Sequence, residues 1–370
     1  MIYAWNCPCK NRWFVGATPA FGVQMKLEPF FLKYRWFSMI LWLFVIFLVL
    51  FNLIAYQQAH AMLHFTTSGT RTARIEYLSV WQKIKVLFSG AHIPKPLNAM
   101  TPKNFGLSFE THQINVTDKI VLEAWYIPHP QPKGIILLFH GYAASKSRLL
   151  PAAHAFHEMS YETFLVDFRG SGGSNQSTTS LGYFEADDVS KAIQYVQTQF
   201  SHLPINVGAN RRVRPFENNY LKHHIILYGQ SMGSAAILRA IHTNHIQPNA
   251  IIIEAVFGNL LTTVKNRFDL MGLPSFPAAH LLVFWGSIQS GFSGFEHNPV
   301  DYAKQVHCPT LMLHGTEDRR ANIHEAETVF NNLRGPKQLE RFEGLKHESY
   351  SAARFEQWKR SISQFLAAHI

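Results

Sequence analysis

The run Ile225-Ile226-Leu227-Tyr228-Gly229-Gln230-Ser231-Met232-Gly233-Ser234-Ala235-Ala236 joins an apolar stretch to a series of small residues through a Gly-x-Ser-x-Gly turn. A serine on so sharp a strand-to-helix turn has a strained backbone and an exposed hydroxyl, and the flanking glycines leave space for neighbouring backbone. Serine is a weak nucleophile at neutral pH, so chemistry at Ser231 requires a base to take its proton and an acid to orient that base. Two later expected strands lead to such residues. Leu311-Met312-Leu313 leads through His314-Gly315-Thr316-Glu317 to Asp318, and Phe342-Glu343-Gly344-Leu345-Lys346 leads to His347. Ser231, Asp318 and His347 are therefore read as nucleophile, acid and base, with Glu317 as the rival acid. The chain has 20 histidines, and position selects His347. His314 falls within or at the end of its strand, and His324 falls on the following helix, directed away from the strand ends.

Charge developing on a substrate oxygen needs donors. Phe139-His140-Gly141-Tyr142 follows an early apolar run, and Met232 follows the candidate nucleophile at a helix N-terminus. The backbone N–H groups of Tyr142 and Met232 are assigned to an oxyanion hole. The Tyr142 side chain either lines an acyl pocket or covers the site.

These residues must be held by strands that end on a common edge. From about residue 106, short apolar runs alternate with helical spacing, the sign of βα units building a mostly parallel sheet. Leu107–Val116 and Ile120–Ile127 read as an opening hairpin. Strands are expected at Gly134–Phe139, Thr163–Asp167, Ile225–Tyr228, Ile251–Glu254, Thr310–Leu313 and Gln338–Phe342, and helices at Lys146–Met159, Glu185–Phe200, Met232–Thr243, Ile323–Leu333 and Ala352–Ala368. Two segments interrupt the alternation: a polar, Arg- and Asn-rich connection at 201–222, and an apolar excursion at 257–306 whose length suggests a lid. The excursion carries Leu260, Phe268, Met271, Leu273, Phe276, Leu281, Leu282, Phe284, Trp285, Phe292 and Phe295. Those residues either offer a surface to an acyl chain or pack only against the sheet.

Trp36 to Tyr56 is a stretch of 21 residues without a charge, about 30 Å as a helix and enough to span a bilayer core. Lys26, Lys33 and Arg35 precede it and the next basic residue is Arg71, which places the N-terminus in the cytoplasm and the rest outside, periplasmic or extracellular. The competing reading is a signal peptide cleaved near Ala59-His60-Ala61. Expected boundaries are a cytoplasmic segment at 1–35, of which 1–24 look dispensable, a membrane helix at 36–56, a stalk at 57–105 and one catalytic domain at 106–370. The amphipathic run Val80–Phe88 lies in the stalk.

Composition narrows the classes. The net charge is +10, but five basic residues against one acidic before residue 57 supply +4 of it, and the only compact basic run is Arg211, Arg212 and Arg214. No nucleic-acid partner is expected from that pattern. Three cysteines build no disulfide framework; Cys308 reads as a buried thiol, and Cys7 and Cys9 lack further ligands for zinc. No phosphate loop, dinucleotide fingerprint or metal-spaced cluster occurs, so no cofactor or metal is expected.

His140-Gly141, Asp167-Phe168-Arg169-Gly170-Ser171-Gly172-Gly173-Ser174, the Gly-Gln-Ser-Met-Gly turn, His314-Gly315-Thr316-Glu317-Asp318 and His347 occur in the order found in the α/β-hydrolase superfamily. Over residues 106–370 the chain resembles its serine esterase, lysophospholipase and aminopeptidase-related branch. The resemblance implies Ser231 as nucleophile, Asp318 as acid, His347 as base, and a stabilising turn at Asp167–Ser174 in which Arg169 is structural. Arg319 and Arg320 either attract an anionic substrate or face solvent. The function expected is hydrolysis of a small-molecule or lipid ester through an acyl-enzyme. The alternatives are a peptidase or acyltransferase with the same triad, or a catalytically silent interaction domain.

Overall fold

A computed structural model describes residues 28–73, 78–200 and 224–370, so the expectations for 1–24, Cys7, Cys9, the Arg211–Arg214 run and the 201–222 connection lie outside the described residues. The chain divides into two compact units between Leu50 and Phe51. Helix α1 (Glu28–Leu63) belongs to both. In the first unit its side chains from Tyr34 to Leu50 are exposed and mostly apolar. Tyr34–Leu63 is a 30-residue stretch long and apolar enough to cross a membrane, longer than the 21 residues expected.

The second unit is built on one sheet. Its strands are β1 (Glu110–Thr117), β2 (Ile120–Ile127), β3 (Ile135–Phe139), β4 (Glu162–Val166), β5 (Ile225–Gln230), β6 (Ala250–Glu254), β7 (Thr310–Gly315) and β8 (Lys337–Phe342). Among the described residues they form an eight-stranded sheet in the order β1-β2-β4-β3-β5-β6-β7-β8. All neighbours from β4 to β8 pair in parallel, while β2 runs antiparallel to both β1 and β4. Strands β3, β4, β6 and β7 are buried along their whole length, which is why their apolar residues stand consecutively rather than alternating with polar ones. The edge strand β8 keeps Lys337, Glu340 and Arg341, charges that discourage edge pairing.

The helices are α2 (Val80–Ser89), α3 (Leu150–Glu158), α4 (Glu185–Phe200), α5 (Met232–Asn244), α6 (Leu260–Met271), α7 (Ala278–Ser290), α8 (Pro299–Tyr302), α9 (Ile323–Asn332), α10 (Tyr350–Ala353) and α11 (Phe355–His369). They cover both faces of the sheet. Ile135, Leu137 and Phe139 of β3 pack with α4, α5 and α9; Ile136 and Leu138 pack with Phe156 of α3 and with Trp358, Ile362 and Phe365 of α11. The two-residue period of a strand divides the two cores. The helix expected over Lys146–Met159 begins instead as a 3-10 turn at Lys146–Leu149. Pro151 has no N–H and clashes in a helix interior, so α3 can start only there. The helix expected at Ala352–Ala368 breaks at Arg354 into α10 and α11.

Among the described residues of 51–105, of which 57–105 were expected as a stalk, several pack against the rest of the second unit. Phe65 N–H donates to the Ser177 carbonyl and Thr66 N–H to that of Ile93, while Phe65 and Ile93 are buried with Ala143. The 257–306 excursion holds α6 and α7, in which Leu260, Ala279 and Val283 are buried and Phe284 and Ile288 exposed. The end of α1 meets α7: Trp285 Nε1 donates to Asn52 Oδ1 at 3.2 Å and Gln289 Nε2 to the Tyr56 carbonyl at 3.0 Å.

Candidate active site

The chain leaves β3 for β4 on one side of the sheet and later returns to β5 on the other. A crevice forms at the carboxyl ends of strands where the order reverses in this way. Ser231 stands there, directly after β5, with φ 51° and ψ −107°. Few non-glycine residues adopt such a backbone, and the surroundings impose it. A Cβ on Gly233 would lie 2.4 Å from the Phe139 carbonyl oxygen, and one on Gly229 would lie 2.7 Å from the Gly233 carbonyl carbon. Only glycine at both positions lets β5 turn into α5 beside β3. The Ser231 N–H donates to the Glu254 carbonyl at 2.8 Å, tying the turn to the end of β6.

The three residues expected as a triad are brought together. His347 lies 3.1 Å through Nε2 from Ser231 Oγ and 2.7 Å through Nδ1 from Asp318 Oδ2. Asp318 is 2% exposed, and its other oxygen accepts the N–H groups of Arg320 at 2.8 Å and Ala321 at 3.0 Å. Burial acts to raise its carboxyl, but the hydrogen bond and charge of His347, with the Ala321 N–H, outweigh it and hold the group below the ordinary value. A carboxylate thus stays ionised beside an imidazole whose other nitrogen reaches a hydroxyl. That arrangement can move a proton from Oγ to Nε2.

The rival groups do not bridge Ser231 and Asp318, although His314 Nε2 lies 3.9 Å from Asp318 Oδ2. Glu317 is exposed. His314 is buried, donates from Nε2 to the Ala321 carbonyl at 2.7 Å, and is lowered chiefly by burial. His324 is exposed on α9 beside Glu327. Arg319 is exposed and Arg320 half-buried.

Met232 directly follows the serine, and Tyr142 directly follows Gly141. Met232 opens α5, where the first N–H groups have no acceptor within the helix. Gly141 lies against the elbow, since a Cβ on it would meet that of Ser231 at 3.6 Å. The Tyr142 side chain turns to the end of α1: its hydroxyl donates to the Met62 carbonyl at 2.6 Å, and its ring tilts against Phe65. Burial pushes its phenol up to about 12. Next to it, Leu63 accepts the Thr179 N–H, and Thr179 Oγ1 reaches the Met232 sulfur at 3.5 Å. Residues 62–65 therefore help to wall the site, a role that no motif announces.

Other supports also escape the sequence. His140 is buried, donates from Nδ1 to the Gly141 carbonyl and accepts the Phe168 N–H at Nε2, coupling the two motif loops. Burial lowers it, which favours the neutral ring these bonds require. In the Asp167–Ser174 turn, Asp167 accepts Lys146 Nζ, and Lys146 also reaches Glu123 at 2.7 Å. Arg169 pairs with buried Asp188 of α4, matching its expected structural role. Beneath the serine, buried Glu254 accepts from Gln230 Nε2 and Trp358 Nε1.

A family model described as serine aminopeptidase, S33, matches residues 130–264, and one described as prolyl oligopeptidase family matches residues 217–370. Among solved structures, the Pyrococcus furiosus esterase Pf2001 aligns with a TM-score of 0.58 at 19% identity, over 75% of this chain and 97% of that one. The chain has the α/β-hydrolase fold. Sequence relatives include the protein bem46 of Schizosaccharomyces pombe, 26% identical over 247 residues that cover 65% of this chain and 71% of the relative. A monoacylglycerol lipase of Mycolicibacterium smegmatis is 21% identical over 282 residues, 68% of this chain and 94% of that protein.

Proposed function

We propose that this chain is a membrane-anchored serine hydrolase that cleaves carboxylic esters, with lipid monoacyl esters as the substrate class. The observation that carries it is the His347 ring held between Ser231 Oγ at 3.1 Å and Asp318 Oδ2 at 2.7 Å. In this reading Ser231 Oγ attacks the ester carbonyl as His347 Nε2 takes its proton, and the N–H groups of Tyr142 and Met232 receive the oxyanion. The tetrahedral species collapses to an acyl-Ser231, and His347 returns the proton to the departing alcohol. Water attacks the acyl carbonyl, giving its proton to His347, and the acid leaves as Ser231 recovers its hydrogen.

The lipid class is supported by half-exposed and exposed apolar residues on α6 and α7, and by the likeness to a monoacylglycerol lipase. The peptidase reading is favoured by the descriptions of the two matching families; recognition of a charged peptide terminus would not need so much apolar surface. An uncleaved anchor is supported by Ala59, which is buried within α1, and by the close approach of Ala61 to Gly90. Small residues there serve packing. With Lys26, Lys33 and Arg35 ahead of the span, we place the N-terminus in the cytoplasm and the domain outside.

The test uses the full-length protein in detergent with p-nitrophenyl esters of increasing chain length, a monoacylglycerol and an aminoacyl p-nitroanilide, beside Ser231→Ala. Ester turnover that rises with acyl length and disappears in the variant supports the proposal. Turnover of the anilide alone selects the peptidase, and a chain that turns over neither and does not react with a fluorophosphonate is a silent domain.

A further inference from the structure

Helix α2 stands outside the sheet-and-helix frame and takes no part in the site. Its start is well defined: Ser79 accepts the Gln82 N–H, Gln82 accepts that of Ser79, and Gly90 at φ 80° ends it. It leaves large apolar side chains uncovered. Trp81 is 80% exposed and Phe88 62%, and Val80 and Ile84 are exposed with them. At 100° per residue, Val80, Ile84, Phe88 and Trp81 fall within a stripe about 100° wide, so the exposure is one face rather than scatter. Lys83 and Lys85 lie on either side of that stripe. A soluble surface rarely keeps such a run uncovered.

The position of α2 says what covers it. Gln58 Nε2 donates to the Val86 carbonyl at 2.6 Å, and a Cβ on Gly90 would lie 3.1 Å from that of Ala61. Residues 57–61 follow directly on the charge-free run of Trp36–Tyr56, which by itself fills a hydrocarbon core. The helix is therefore fastened to α1 within about a turn of where the span must leave the bilayer. A tryptophan-bearing apolar stripe flanked by lysines is the pattern of a helix lying in a membrane interface.

We propose that α2 is an interfacial helix that docks on the phospholipid bilayer beside α1, with Val80, Trp81, Ile84 and Phe88 among the acyl chains. Lys83 and Lys85 then extend their stems along the apolar layer and leave their ammonium groups at the lipid phosphates. The inference rests on reading α1 as the membrane span. It does not depend on the chemistry proposed for Ser231.

The test reconstitutes the full-length protein in phosphatidylcholine–phosphatidylglycerol vesicles after Cys7→Ser and Cys9→Ser. Burial pushes the Cys308 thiol up to about 12, so it labels slowly, and the unsubstituted background supplies the blank. Nitroxides at Trp81→Cys, Ile84→Cys, Lys83→Cys and Phe44→Cys are read for collision with oxygen, which concentrates in lipid, and with a water-soluble nickel chelate. The expected result is an oxygen-to-nickel ratio several-fold higher at positions 81 and 84 than at 83, approaching that at 44. Nickel-dominated labels at 81 and 84 would overturn the proposal, as would labels shielded from both probes, the signature of a protein partner. A nickel-dominated label at 44 would remove the span and the proposal with it. Ester hydrolysis by each labelled protein reports folding and separates these outcomes from failure of the serine chemistry.

Discussion

Replacing Asp318 by Asn changes one atom, and the surroundings decide which way the new amide must face. Asp318 Oδ1 accepts two backbone N–H groups, from Arg320 at 2.8 Å and Ala321 at 3.0 Å. An NH2 group at that position would set donor against donor twice, so the amide oxygen takes it. The NH2 then occupies the place of Oδ2, 2.7 Å from His347 Nδ1, and donates where a carboxylate accepted. Nδ1 must become the acceptor, the ring proton moves to Nε2, and Nε2 no longer accepts from Ser231 Oγ. A triad held in the wrong tautomer loses about 10⁴ in kcat, which is roughly 5 kcal/mol of transition-state stabilisation. The assay is hydrolysis of p-nitrophenyl butyrate by Asp318→Asn, with Glu317→Gln as the neighbouring control expected to stay within about twofold of wild type. A loss of less than tenfold in Asp318→Asn, or an equal loss in Glu317→Gln, would refute the assignment of the acid.

Three further outcomes are expected. Burial pushes Glu254 up to about 7 from an ordinary 4.5, so its folded form holds a proton that the unfolded chain releases. The associated stability is complete below about pH 4.5 and is lost as pH rises through 7, on the order of 3 kcal/mol; denaturant melts at pH 5 to 8 should show a flatter decline in Glu254→Gln. Lys146→Met leaves the carboxylate of Asp167 buried without its cation, and chemical denaturation should register a loss of about 3–5 kcal/mol. Tyr142→Phe removes the 2.6 Å bond to the Met62 carbonyl at a cost of about 1 kcal/mol, with kcat within a few-fold of wild type because the proposed oxyanion donor is its backbone N–H. A hundredfold fall in kcat would assign the hydroxyl a direct part in the chemistry.

Motif order and strand–turn–helix context singled out Ser231 and His347 as candidates and favoured Asp318 with Glu317 left as the rival acid, because each follows an expected strand and the ends of parallel strands converge. Periodicity likewise marked most of the strands and the helices α4, α5 and α9 nearly to their ends, whereas Pro151 delays α3, the last helix breaks at Arg354, and α6 and α7 lie in an excursion where no helix was expected. Local sequence determined these features because backbone sterics, side-chain alternation and turn chemistry act over a few residues. What only the tertiary structure decided are pairings across long separations. Lys146 finds Asp167 and Glu123, Glu254 finds Trp358, and Phe65 and Ile93 of the expected stalk are buried with Ala143. Whether a polar side chain is buried, and which distant group it then meets, depends on how the sheet brings remote segments together. The choice between Asp318 and Glu317 shows the division most plainly: two adjacent carboxylates are equivalent in composition, and the turn after β7 buries one against His347 and leaves the other in solvent.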